Sequence, residues 1–193
     1  GVEFPLDIKP FSERPVEVLT VANLNNRKGY IEYLKNISKI VNANSNVKFV
    51  FVGRDDMDGR VQKKIIELGL SEYVTYEGFQ SNVNKYYNRA KLFILPSLWG
   101  EGCPTVILEA LSYSVPVVAY SIDGIPELIN NGEDGLLLKT EKDDEFTKIV
   151  NLLNNSDRLS AMGEIGRSKV KSKFTIESCM NNHNFIINKI SEN

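Results

Sequence analysis

Cysteines and long apolar runs are scarce in this chain, and each of these scarcities argues against a class of protein. Only two cysteines occur among the 193 residues, Cys103 and Cys179, and they lie far apart in sequence. A disulfide scaffold is therefore not expected. We expect the protein to reside in a reducing, cytoplasmic compartment. No stretch approaches the ~18 apolar residues that a membrane span requires, and no signal-peptide pattern is present.

The charge balance is close to neutral. Lysine and arginine number 23 against 25 aspartate and glutamate residues, a net charge of −2. This balance argues against a general nucleic-acid binder and leaves room for a local basic pocket. The composition is that of an ordinary globular protein, and the chain is long enough to bury roughly 70% of its unfolded surface.

Short apolar segments alternate with segments of helical periodicity. The predicted strands are Val16–Ala22, Val47–Gly53, Tyr73–Glu77, Lys91–Pro96, Val115–Tyr120 and Gly135–Leu138. Strands that alternate with helices predict an α/β fold, a Rossmann-like, doubly wound parallel sheet of about six strands with helices on both faces. A C-terminal helical extension completes it, with helix breaks near Asn155 and Phe174.

Three segments are expected along the chain. Residues 1–15 carry three prolines and are interpreted as a linker or lead-in, residues 16–174 as the Rossmann-like domain, and residues 175–193 as a C-terminal helix. That helix carries an apolar stripe at helical spacing, made of Ile176, Met180, His183, Ile187 and Ile190. Within the domain, Asp123-Gly-Ile-Pro-Glu127 predicts a short helix capped by Asp123.

Glu101 and Glu109 lie eight residues apart around a Gly-Cys-Pro turn that follows an apolar strand. A helix beginning near Pro104 would present unpaired N–H groups and a positive dipole to an anion. Glu109 would then lie roughly 7 Å along the helix axis. Two carboxylates that flank an anion site suit the hydroxyls at either end of a nucleotide sugar. The alternative interpretation of such a pair is solvated surface charge.

A basic pair stands at a second loop of the same sheet edge. Lys28 precedes Gly29 and a helix, so it can neutralise a phosphate as a point charge, and Arg27 can assist with its guanidinium fork. Because ligands of such sheets bind beyond the carboxyl ends of the strands, we expect one pocket at this edge. Its loops are those at Asn23, Gly53, Phe79, Ser97 and Ser121.

A set of short motifs in fixed order carries a family resemblance. They are Gly1-Val-Glu, Val21-Ala-Asn-Leu with Lys28-Gly29, Phe51-Val-Gly53, Gly78-Phe79, Leu95-Pro-Ser97, Glu101-Gly with Glu109-Ala, Pro116-Val-Val-Ala119, Gly124-Ile-Pro-Glu127, and Asn131-Gly with Gly135-Leu-Leu. In combination they resemble the C-terminal, nucleotide-binding half of the group 1, or family 4, retaining glycosyltransferases. Members of that family have two Rossmann-like domains in the GT-B arrangement.

The resemblance implies residue roles. Lys28 would hold the donor diphosphate, Glu101 with the backbone of 102–105 would hold the sugar and phosphate, Glu109 the ribose, and Phe79 would lie by the base. Glu101 and Lys28 are the implied catalytic residues. The full implied donor-binding set is Asn23, Arg27, Lys28, Gly53, Arg54, Phe79, Glu101, Gly102, Cys103, Pro104, Thr105, Val106 and Glu109.

One departure from the family pattern concerns charge. The family often has Gly-Arg-Leu where this chain has Ala22-Asn23-Leu24, so the usual diphosphate arginine is absent. Arg27 or Arg54 would substitute, or donor affinity would be lower. The implied donor is a UDP- or GDP-sugar, and the implied fold needs no bound metal. Asp56-Met57-Asp58 is accordingly interpreted as a solvated turn, and Cys103 as a small turn residue.

The remaining partners would belong to an N-terminal domain outside this chain. That domain would recognise an acceptor saccharide or lipid-linked glycan and could bring the protein to a membrane surface. The C-terminal helix would cross back onto it, although packing on its own domain is an equal alternative. Two other functions stay open: a nucleotide-sugar-binding module or epimerase without transferase activity, and an interaction domain that has lost the ligand.

Overall fold

The computed structural model describes residues 1–139 and 145–191, and for residues 145, 182 and 185–191 it describes the backbone alone. The strands are β1 Glu17–Val21, β2 Lys48–Val52, β3 Val74–Tyr76, β4 Leu92–Leu95, β5 Val117–Tyr120 and β6 Gly135–Leu138. The helices are α1 Tyr30–Ala43, α2 Arg60–Glu67, α3 Asn84–Tyr87, α4 Thr105–Ser112, α5 Ile125–Leu128, α6 Glu145–Leu153, α7 Ser156–Lys173 and α8 Ile176–Ser191. Short 3-10 helices occupy Phe11–Glu13 and Asn26–Lys28.

All six strands join one parallel sheet in the order β3-β2-β1-β4-β5-β6. The predicted doubly wound α/β sheet is thereby confirmed. The chain builds outward from β1 to β3, then returns to place β4 on the other side of β1. The loops that follow β1 and β4 therefore diverge and leave a crevice between them, which is where this architecture binds its ligands.

Both faces of the sheet are buried because its strands are apolar at successive positions. Val18 and Phe49 belong to one apolar cluster, whereas their neighbours Leu19 and Val50 belong to the other. Helices α1, α2 and α6 cover the first face, α3, α4 and α5 cover the second, and α7 contributes to both. Alternate residues of a strand point to opposite faces, so a run such as Leu92–Leu95 supplies both clusters.

The two ends of the domain meet. The Val2 N–H donates to the Phe174 carbonyl at 2.8 Å, and Val2 forms a parallel bridge with Thr175. Arg14 is buried and donates through its guanidinium to the carbonyls of Ala90 and Tyr113, at 3.1 and 2.9 Å. Burial lowers the pKa of Arg14 to about 10. The segment before β1 is therefore packed onto the domain.

The C-terminal helix α8 has solvent-exposed apolar positions. Ile176 and Met180, from the expected stripe, are exposed, and His183 is exposed too. The side chains of Ile187 and Ile190 lie outside the described residues. In the part of the chain that the structure describes, no helix combines the length and apolarity needed to cross a membrane.

Candidate functional site

Lys28 is placed by a tight turn at the carboxyl end of β1. The Asn25 side chain accepts a hydrogen bond from the Lys28 N–H at 3.2 Å, and Gly29 follows with a φ of 63°. A Cβ at Gly29 would lie 2.3 Å from the Pro96 carbonyl oxygen, so only glycine lets this loop approach β4 so closely. The turn holds Lys28 between the loops that follow β1 and β4.

Lys28 and Glu101 form a direct ion pair in the crevice between β1 and β4. The lysine Nζ donates to Glu101 Oε1, and the two side chains are only 11% and 6% exposed. The sequence predicted that both residues lie at one edge of the sheet, and the structure shows that they are in direct contact. A lysine ammonium has three N–H donors, so those not given to Glu101 can still bind an anion.

Asp123 fixes the loop that carries Glu101. Its Oδ2 accepts hydrogen bonds from the Gly100 and Glu101 N–H groups at 2.7 and 3.0 Å, while the Gly124 N–H donates to the Glu101 carbonyl at 3.0 Å. The expectation that Asp123 caps α5 was wrong. Gly124 is the cap residue, without a side-chain hydrogen bond, because the Asp123 carboxylate is committed to the Glu101 loop.

A cleft of about 340 Å³ opens above the ion pair, at the start of α4. Pro104 is the cap residue of α4 and offers no side-chain acceptor to the first N–H groups of the helix, which lie at its electropositive end. Exposed Cys103 lies at this rim. The predicted residues that line the cleft are Asn23, Arg27, Lys28, Glu101, Cys103, Pro104, Thr105 and Val106.

Glu109 lies in the second turn of α4 and is oriented by a buried tyrosine. The Tyr87 hydroxyl donates to Glu109 Oε2 at 2.9 Å. Burial, and then the Glu109 charge, hold the pKa of Tyr87 well above its usual value, so this hydroxyl stays a donor. Glu109 lines a cavity of about 660 Å³ with Asn84, and Thr105 lines both this cavity and the cleft. The single expected pocket is thus two adjoining ones.

The two arginines expected near the missing family arginine differ in position. The Arg27 guanidinium donates to the Gly100 carbonyl at 3.0 Å and lines the cleft. The Arg54 guanidinium is paired with Asp56, at 2.7 Å between Nε and Oδ1, and does not line it. Asn23 joins their loops, because its Oδ1 accepts from the Arg54 N–H at 3.2 Å.

Four predicted residues lie outside the lining of both cavities: Gly53, Arg54, Phe79 and Gly102. Gly53 has a structural role, since a Cβ there would lie 2.0 Å from the Ala22 carbonyl oxygen. Phe79 is 72% exposed in the loop after β3. In the Asp-x-Asp turn, Asp56 is the partner of Arg54 and Asp58 has a φ of 52°.

This geometry agrees with a family match. The model of the family described as "Glycosyl transferases group 1" matches residues 5–169. The chain belongs to the group 1 glycosyl transferases. It spans well under half the length of the first curated relatives, 36% of one and 39% of another.

Three similar proteins give this membership detail. A Campylobacter jejuni α-1,4-N-acetyl-D-galactosaminyltransferase, named for a glycan-PP-undecaprenol, is 31% identical over 142 residues, 72% of this chain and 39% of that protein. Anabaena HepE in complex with UDP-glucose has a TM-score of 0.78 at 20% identity, covering 95% of this chain and 50% of HepE. The C-terminal domain of the Francisella tularensis group 1 protein LpcC has a TM-score of 0.71 at 19% identity, covering 86% of this chain and 90% of that domain.

The roles of two residues in this candidate site could not be foreseen from the sequence. The Tyr87 ring packs against Phe93, and the sequence around Tyr87 gives no indication of its hydrogen bond to Glu109. Asp123 stands before a Gly-Ile-Pro-Glu helix start, a local pattern that pointed to capping. In both cases the partner lies 22 residues away in sequence, so only the fold reveals it.

Proposed function

We propose that this chain is the donor-binding half of a retaining glycosyltransferase, which transfers a sugar from a nucleoside diphosphate sugar to a saccharide or lipid-linked glycan. The observation that carries the proposal is the buried Lys28–Glu101 pair beneath the open N-terminus of α4. Glu109 follows Thr105 on that helix by roughly one turn, about 6 Å along the axis. The UDP-glucose complex of HepE supports it by analogy of fold.

Lys28 and the first N–H groups of α4 have an electrostatic task in this proposal. The leaving diphosphate gains negative charge as the bond to the sugar breaks, and in a retaining reaction it assists attack by the acceptor on the same face. A fixed cation and aligned N–H donors stabilise that charge without reorganisation, each worth roughly 3–4 kcal/mol when removed. Glu101 keeps Lys28 in place and orients the sugar hydroxyls.

Arg27 replaces the arginine that the family pattern places at Asn23. It already lines the cleft and its guanidinium has donors beyond the one given to Gly100. Arg54 is turned to Asp56 instead. Arg27, the Lys28 N–H donors that Glu101 leaves free and the start of α4 can together bind the diphosphate, so we expect donor binding to need no divalent metal.

A ligand panel tests the proposal. Thermal unfolding of the chain is followed with UDP, GDP, ADP and their common sugars, with and without EDTA. Ligand at 100 times its dissociation constant adds about 2.7 kcal/mol of stability. We expect stabilisation by one nucleotide, UDP or GDP, that EDTA leaves unchanged and that Lys28→Ala, Arg27→Ala and Glu109→Ala weaken. Arg54→Ala is the matched control and should retain it.

No stabilisation by any nucleotide at millimolar concentration would contradict the donor site in this chain. An equal loss in Arg27→Ala and Arg54→Ala would contradict the assignment of Arg27 alone. The main part of acceptor recognition, and any peripheral contact with a membrane from the cytoplasmic side, are assigned in this proposal to an N-terminal domain. The name of the Campylobacter relative supports a polyprenol-linked acceptor.

A further inference from the structure

Trp99 is the only tryptophan in the sequence, and it lies in the same loop as Glu101. It follows β4 and is 54% exposed. The backbone on both sides is fixed by one residue: the Leu98 N–H donates to the Arg27 carbonyl at 2.8 Å, and the Arg27 guanidinium donates to the Gly100 carbonyl at 3.0 Å. Among the described residues, the indole makes no ring stacking or cation–π contact.

The indole forms one wall of a second cleft, of about 440 Å³. Polar side chains from Asn25, Asn26, Glu32 and Arg60 line one part of it, and the remaining lining comes from Tyr30, Ile31, Met57 and Leu98. Arg60 is itself steadied, because its Nη2 donates to Asn26 Oδ1 at 3.2 Å. Within the described part of the chain, the Glu32 carboxylate has no hydrogen-bond or ion-pair partner.

The lining favours a neutral, hydroxyl-rich ring. A pyranose presents one face of C–H bonds, which pack against the electron-rich face of an indole, and a rim of hydroxyls that both donate and accept. Asn25, Glu32 and Arg60 offer acceptors and donors around the indole. The single positive and single negative charge balance, so the cleft does not select a phosphate or another anion.

The second cleft adjoins the donor cleft. Asn25 lines both, and Arg27, which lines the donor cleft, holds the Trp99 loop because its carbonyl accepts the Leu98 N–H hydrogen bond. A sugar on Trp99 would therefore lie beside the bound donor and apart from the diphosphate position over Lys28.

We propose that Trp99, with Asn25, Glu32 and Arg60, forms a glycan-binding subsite that holds a pyranose ring of the acceptor by stacking on the indole. The assignment of the bound sugar as acceptor rests on the proposed transferase function. The recognition of a neutral pyranose rests on the cleft itself. Trp99 and Arg60 would then hold one ring of the glycan that the N-terminal domain presents to the donor.

Because Trp99 is the sole tryptophan, its fluorescence reports this cleft directly. The chain is titrated with the methyl α-glycosides of glucose and N-acetylgalactosamine and with maltose, and saturation-transfer NMR is recorded with the same sugars. We expect a saturable change in tryptophan emission with at least one sugar. Arg60→Ala should weaken that binding roughly tenfold, the factor that corresponds to about 1.4 kcal/mol.

Three variants locate the effect. Trp99→Ala should abolish saturation transfer to the sugar while the thermal midpoint stays unchanged, since the side chain is exposed. Ile66→Ala removes a more exposed apolar side chain on the same helix as Arg60 and should change nothing. Lys28→Ala should keep sugar binding and lose nucleotide binding.

Each outcome separates this proposal from the proposed function. Nucleotide binding without any response to the sugars would overturn the glycan subsite and leave the donor site standing. Sugar binding that survives in Trp99→Ala would overturn it too, because the sugar would then bind elsewhere. Sugar binding at Trp99 without nucleotide binding would support the subsite and contradict the donor-binding function.

Discussion

The Lys28–Glu101 pair sets both the local stability and the charge of the cleft. Taking two ions out of water is costly, and their attraction offsets this only while both partners are present. Removing one partner of a buried pair costs about 3–5 kcal/mol, whereas replacing both by apolar side chains is often neutral. Stability and ligand binding can therefore be separated at this position.

Lys28→Ala should lower the free energy of unfolding by about 3 kcal/mol and abolish stabilisation by nucleotide, because Glu101 is left without a counter-charge. The double variant Lys28→Met with Glu101→Met should recover most of that stability and remain unable to bind nucleotide. Urea unfolding with and without UDP measures both quantities. A double variant that binds UDP as tightly as the parent chain would contradict the role assigned to Lys28.

Tyr87 acts through Glu109, so its variant should show a ligand-dependent effect. Tyr87→Phe leaves the buried ring in place and removes the hydroxyl that orients the Glu109 carboxylate. We expect UDP to bind roughly fivefold more weakly, on the scale of about 1 kcal/mol for one hydrogen bond, while inorganic diphosphate binds unchanged. Isothermal titration with the two ligands measures the ratio. An equal loss for both would show a general disturbance of the site instead of misplacement of Glu109.

At the scale of single elements, strand β1 begins with a buried glutamate. Glu17 is buried, its Oε1 has no hydrogen-bond partner among the described residues, and its Oε2 pairs with Arg89 at 2.7 Å. Burial raises the pKa of Glu17 above its usual value, against the lowering effect of Arg89. The folded state therefore takes up this proton more readily than the unfolded state.

The sign of the pH effect follows from that raised pKa. The contribution of Glu17 is fully present below its unfolded pKa of about 4.3 and is lost as pH rises through the higher folded pKa. Relative to Glu17→Gln, the parent chain should gain stability as pH falls from neutral towards 4. Chemical unfolding across this range, with the exposed Glu13→Gln as charge-matched control, measures the difference. A difference that stays flat with pH would contradict the raised pKa.

The whole molecule exposes an apolar surface where its two ends meet. Leu6 is 95% exposed, Ile176 lines the same surface cavity, and Met180 follows Ile176 by one helical turn. We name these three residues the terminal apolar patch. The chain spans under half the length of its first relatives. A further part of a longer protein would be a suitable partner to cover such a patch.

The terminal apolar patch should cause this chain to self-associate. Met180→Lys, or Leu6→Lys, should lower the associated fraction because a charge in such a contact must be desolvated. Ile66→Lys changes an exposed position of α2. It is the matched control and should leave association unchanged. Sedimentation velocity over a range of protein concentrations measures the fraction. A chain that is fully monomeric at high concentration would contradict the prediction.

The sequence by itself determined the class of fold and the placement of the main site residues at one sheet edge. Strand and helix periodicity are local properties, so all six strands could be predicted, each within about two residues of its observed ends. The Glu101–Glu109 spacing and Lys28 likewise indicated an anion site at a helix start. The roles assigned to those residues in donor binding remain predictions.

Only the tertiary structure decided which of these groups touch. Lys28 and Glu101, which are 73 residues apart, meet because β4 inserts beside β1 at the point where the strand order reverses. The same packing turned Asp123 from an expected helix cap into a support for Glu101, and gave Glu109 its hydrogen bond from Tyr87. Such contacts depend on strand order and on loop approach at particular glycines, and neither is encoded in the periodicity of a single segment.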